Sequence, residues 1–148
     1  MKLAISCLLA MLLLSGGASA AGSNEDKTTD SPWAPTARKA ISDKDWTAAI
    51  KLFERDVAAE TATADTYNYL GFAYRGLKQY DKAFEHYAIA LKMNPEHRGA
   101  HEYLGETYLA VGNLAKAKEH LAALDRICFF GCQEYDDLKA AVAAYRPK

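Results

Sequence analysis

Slid against itself by 34 positions, the chain matches itself. "YLGFAYRGLKQYDKA", Tyr69 to Ala83, lies over "YLGETYLAVGNLAKA", Tyr103 to Ala117, with Tyr, Leu, Gly, Tyr and Ala in common. His86 and His120 fall on the same offset. One step back, Tyr80 meets Trp46, Ala83 meets Ala49 and Tyr87 meets Phe53. One step forward, Tyr67 and His101 lead to Tyr135, and Leu70 and Leu104 lead to Leu138. A fixed period of this length marks a chain built from one supersecondary unit used repeatedly. The units begin near residues 30, 64, 98 and 132.

Inside a unit the spacing is helical. Tyr67, Leu70, Gly71 and Tyr74 stand at i, i+3, i+4 and i+7, one face of a helix. Ala83, Tyr87, Ala90 and Leu91 form a second such face, and "GLKQYD" between them is a short polar connection. Pro95 ends the second helix, because proline lacks a backbone donor and clashes one turn back. Gly71, without a side chain, lets the two helices approach closely. The expected fold class is all-α.

These residues resemble the tetratricopeptide repeat, a helix–turn–helix unit of the same length. In the second unit Tyr67, Leu70, Gly71, Tyr74, Ala83, Tyr87, Ala90 and Pro95 stand where that family's signature expects them. The third keeps Leu104, Gly105, Tyr108, Ala117 and Leu121, with His101 where a large aromatic is usual. The first has a good second helix, marked by Trp46, Ala49 and Phe53, but only Thr36, Ala37 and Ala40 for its first. The fourth is one helix, from about 133 to 145, that turns Tyr135, Leu138, Val142 and Tyr145 inward. The resemblance implies an α-solenoid of about three units over 31–148, closed by a C-terminal capping helix from about 132. One unit cannot bury its own apolar faces, so the units must stack.

The N-terminus reads differently. Met1-Lys2 precedes the apolar "LAISCLLAMLLL", too short to span a bilayer, and Ala18 and Ala20 supply a signal-peptidase pattern. Residues 1–20 are expected to be a cleaved signal peptide and 21–30 a polar, disordered leader, which makes the protein exported, periplasmic or secreted. Cys7 lies at the front of the apolar run rather than at its end, which argues against a lipoprotein. A formal charge of −1 gives no footprint for nucleic acid, and nothing basic and amphipathic suggests a membrane surface after cleavage.

Export places Cys128 and Cys132 in an oxidising compartment, where a disulfide is expected. It would set the turn in "CFFGC", where Phe129 stands at the position of Pro95. Closing so small a loop removes on the order of 2 kcal/mol of unfolded-state freedom. The alternatives are a redox-active dithiol or a metal site, although no His follows for haem attachment and two sulfurs under-coordinate zinc. His97 and His101 are spaced as helix-borne metal ligands, but one lies in a turn and the other at a packing position; His86 and His120 read as equivalent surface positions. No catalytic motif, phosphate loop or dinucleotide fingerprint occurs, so no enzyme activity, cofactor or metal is expected.

In the family resembled here the first helices line a groove that holds a peptide or a partner's helix. Carried over by position, the groove set is Asp65, Asn68, Phe72 and Arg75, then Glu102, Glu106 and Leu109, then Gln133, Asp136 and Ala140. Phe72 lies off the packing face and reads as a partly exposed anchor. The acids make the groove mildly negative, so Glu102 and Glu106 would repel the C-terminal carboxylate that the family's clamp variants hold with Lys and Asn. A polar or basic segment, or an apolar helix with a basic rim, fits better. The function expected is a protein-binding scaffold or adaptor. The rival readings are a thiol-redox or metal-handling protein and a permanent accessory subunit.

Overall fold

The computed structural model describes residues 31–147 and contains seven α-helices among them. The expected signal peptide and leader lie outside the described residues. The helices are α1 (Ala34–Ser42), α2 (Trp46–Ala58), α3 (Ala64–Gly76), α4 (Tyr80–Met93), α5 (Arg98–Ala110), α6 (Leu114–Ile127) and α7 (Gln133–Ala144). Each of the pairs α1–α2, α3–α4 and α5–α6 is an antiparallel hairpin packed on its own partner. The first helices α3, α5 and α7 touch in succession, whereas α4 and α6 do not meet to a comparable extent. Crowding the first helices and splaying the second ones curves the stack, with the first helices on the concave side.

Local chemistry starts and stops these helices. Asp45 and Asn113 accept hydrogen bonds from the N–H groups of Ala48 and Lys116 and so cap α2 and α6. Thr63 and Thr66 form a reciprocal capping box on α3. Each hairpin turns through a residue in the left-handed region, at Lys44 (φ 59°), Lys78 (φ 59°) and Gly112 (φ 85°), positions again 34 apart. Between α6 and α7 the sulfurs of Cys128 and Cys132 stand 2.00 Å apart, as a bonded disulfide, and Phe129 and Phe130 project from the turn.

The core is a file of small residues receiving large ones. Ala37, Ala40, Ala49, Ala73 and Ala83 surround Phe53, Leu70, Tyr74 and Tyr87. At Gly71 a Cβ would lie 2.6 Å from the Tyr87 ring, and at Gly105 one would lie 2.6 Å from Leu138. Tyr87 and Leu138 are both fully buried and have nowhere to retreat. The second contact brings α7 chiefly onto α5, with less on α6. On α7, Leu138 is buried and Tyr135, Val142 and Tyr145 are half-buried, while Lys139 is exposed.

Two outcomes check this packing. Gly71→Ala gains helix propensity of about 1 kcal/mol but overpacks Tyr87, and the net expected in denaturant unfolding is a loss of about 1–3 kcal/mol. Equal or greater stability would contradict the seat. Thiol titration of the denatured, unreduced protein is expected to find neither Cys128 nor Cys132 free, and finding both reactive would remove the bridge.

Candidate functional site

Of the concave positions, those on α3 and α5 converge on one cluster. The Arg75 guanidinium binds Glu106 Oε2 at 2.7 Å and lies 5.1 Å from the Phe72 ring centroid and 5.6 Å from that of Tyr103. The two rings are themselves 4.6 Å apart, and Trp46 meets the other side of Phe72 edge-on at 5.9 Å. Phe72, Arg75, Glu106 and Leu109 are all half-buried. The cluster is therefore a partly open platform whose cation is held between aromatic faces and by a carboxylate. Tyr103 and Trp46 belong to it although position-by-position transfer passes them over; the offset of 34 from Tyr69, which stacks on Phe53 at 5.3 Å, is the signal that marks Tyr103 as a ring between units.

Other concave positions are less open than the sequence suggests. Asn68 and Glu102, equivalent residues of α3 and α5, are both buried. Asn68 Oδ1 has no hydrogen-bond partner among the described residues. Glu102 is not an acid lining an open groove. Leu138 seated on Gly105 draws α7 against α5, and burial, with the carboxylates of Glu106, Asp137 and Glu134 nearby, pushes its carboxyl up to about 8. Because Glu106 is paired and Glu102 holds its proton at neutral pH, the groove carries less negative charge than expected. Asp136 is exposed on α7. Asp65 is tied down: His97 accepts from the Ala100 N–H through Nδ1, capping α5, and donates from Nε2 to Asp65 at 2.8 Å. That bond holds the Asp65 carboxyl below its ordinary range, against the opposing effect of burial.

The histidines are half-buried, enclosed by rings or hydrogen-bonded, rather than open surface groups. His86 stacks between Tyr74 at 5.1 Å and Tyr67 at 6.1 Å. His120, one unit on, stacks on Tyr108 at 5.6 Å and meets His101, the counterpart of Tyr67. His101 Nε2–H donates to the Pro95 carbonyl, so its Nδ1 is an acceptor and receives the Nδ1–H of His120 at 3.0 Å. Burial, then the neighbouring His101, lowers His120 to about 4, and burial lowers His101. His97 and His101 thus turn to different partners. No group of three or more His, Cys, Asp or Glu side chains among the described residues is placed to hold a metal ion. No described helix is long and apolar enough to cross a membrane.

A family model, the tetratricopeptide repeat, matches residues 64–97. Residues 64–97 are a tetratricopeptide repeat. The second tetratricopeptide domain of human RPAP3, determined in complex with the HSP70 peptide SGPTIEEVD, superposes with a TM-score of 0.64. It is 18% identical and covers 74% of this chain and 91% of its own. The TPR2B domain of yeast Sti1, in complex with pHsp70, superposes with a TM-score of 0.66 at 23% identity, covering 78% and 100%. At those identities the likeness is one of fold. The uncharacterized protein ycf37 of Guillardia theta is 37% identical over 71 residues, which is 48% of this chain. The match spans only 39% of that relative's length.

Two limbs of a pH–stability curve follow for this repeat protein. The unfolded chain releases the Glu102 proton near 4.5 and the folded one near 8, so this group makes stability fall as pH rises between those values. The folded state keeps His120 neutral to about 4 against an ordinary 6.5, so stability also falls as pH drops through that window. Denaturant midpoints against pH are expected to show Glu102→Gln flattening the alkaline limb and His120→Phe flattening the acid limb. A limb unchanged by its substitution would refute that assignment.

Proposed function

We propose that the protein is a non-catalytic adaptor of an exported compartment, holding a peptide or helix of a partner on its concave face. The observation that carries this reading is the platform of Phe72, Tyr103, Arg75 and Glu106, pre-organised and partly open on the crowded first helices. Rigid aromatic and arginine anchors contribute most at interfaces, because little side-chain freedom is left to lose on binding. The signal-like N-terminus supports the exported location.

The domains of RPAP3 and Sti1 supply an instructive contrast. The peptide in the RPAP3 complex carries two Glu and a terminal Asp. Here Glu106 and Asp136 stand on the concave side with Arg75 already engaged by Glu106. A neutral or basic segment is the better match.

A photo-crosslinking residue at position 72 or 136 is expected to capture a partner in the native compartment, and one at Lys118 on α6 is not. Combining Phe72→Ala with Glu106→Lys is expected to lower the yield at 136 several-fold. Adducts formed from 118 alone, or a yield indifferent to the double substitution, would contradict the concave-face reading.

A further inference from the structure

Three open cavities lie side by side where first helices end and second helices begin. One of about 270 Å³ is bounded by Trp46, Phe72 and Tyr80, with Arg75 and Lys78 at its side. The next, about 420 Å³, shares Lys78 and Tyr80 with it and adds Lys82 and Val111. The third, about 370 Å³, shares Val111 with the second and Ala110 with the first, and ends on Tyr145 and Arg146. Adjoining through these shared residues, the three make up a trough along the hairpin edge of the array. Its surface is apolar and aromatic, and Val111 and Leu77 stand exposed at the turns. Gly76 seats the Trp46 indole against α3, since a Cβ there would lie 2.5 Å from that ring.

The charge of this trough is one-sided. Its walls carry four cations, Arg75, Lys78, Lys82 and Arg146, and one carboxylate, Asp81. Arg75 is paired with Glu106, Lys82 rests over the Tyr74 ring, and Arg146 donates to backbone carbonyls. The Lys78 ammonium, at the centre, makes no hydrogen bond or ion pair to any described residue, although the Lys78 backbone N–H donates to the Arg75 carbonyl. Lys78 sits at φ 59°, as Lys44 does one unit before, whereas Gly112 one unit on fills the same left-handed position without strain. Beside it α4 begins at Gln79, which gives no side-chain cap, whereas its counterparts Asp45 and Asn113 do. A carboxylate there would meet both the Lys78 ammonium and the first-turn N–H groups.

We propose that this trough is a second interaction surface, whose occupant is an acidic partner segment bearing large apolar side chains. A carboxylate sits at Lys78 and the start of α4, and apolar side chains enter the cavities to either side, each large enough for a Leu or Phe. With Arg75 already paired to Glu106, three cations, Lys78, Lys82 and Arg146, face one acid, Asp81, and this excess selects an acidic segment over a basic one. The inference goes beyond the concave-face reading and stands without it, since Trp46, Phe72, Arg75 and Leu109 border both surfaces but Lys78, Tyr80, Lys82 and Val111 belong to the trough alone.

The test is a selection from a random dodecapeptide display library against the mature chain. Enriched peptides are expected to combine Asp or Glu with Leu, Phe, Met or Trp. Lys78→Glu and Val111→Asp are each expected to weaken their binding by roughly tenfold or more, and Lys118→Glu is not. Lys78→Gly separates binding from folding: it is expected to lose affinity while its melting temperature stays level or rises, because glycine suits the left-handed turn. Enrichment of basic or neutral peptides, no enrichment at all, or acidic binders indifferent to Lys78→Glu and Val111→Asp would overturn the proposal.

Discussion

The structure depends on one kind of contact, a glycine in the middle of a first helix against a large side chain that fills the missing Cβ. Gly71 receives Tyr87 and Gly105 receives Leu138. These seats fix how closely the helices approach and therefore which residues of each first helix are left to face outward. Hydrophobic burial supplies the driving force, but it is non-directional; the seats supply the register. The second seat is filled from α7 and not only from within its own unit, so the end of the array is set by the same device as its middle.

From that register the surface chemistry follows. On the concave side the polar groups are largely engaged with one another: Arg75 with Glu106, and Asp65 with the cap of α5 through His97. Glu102, pressed by α7, keeps its proton. The hairpin edge is different in kind, because turn residues there belong to no layer and the Lys78 ammonium has no partner among the described residues. One small fold thus presents a nearly neutral aromatic platform and a basic apolar trough, with Phe72 and Arg75 at the border between them.

The repeat and its helices were legible in the sequence because both signals are local: a spacing of three and four residues within a helix, and an offset of 34 between units. Phe72 was legible as a part-exposed aromatic for the same reason. What escaped was set between units. Glu102 looked open because position-by-position transfer assumes that α7 continues the repeat unchanged, whereas it packs chiefly on α5. His86 and His120 looked external because each is enclosed by rings from the opposite helix of its hairpin, at positions far apart in the chain. The trough is built from turns and helix ends, which no helical periodicity describes.

The central claim is that the units hold together only as a completed stack, with α7 filling the last seat. Thermal unfolding of a chain ended after Cys132, followed by far-ultraviolet circular dichroism beside the same chain carried through residue 148, measures this most directly. The account predicts a large drop in melting temperature and a broader, less cooperative transition, since Leu104 and Gly105 lose their cover. A truncated chain that melts at the temperature of the full protein, with equal sharpness, would contradict it.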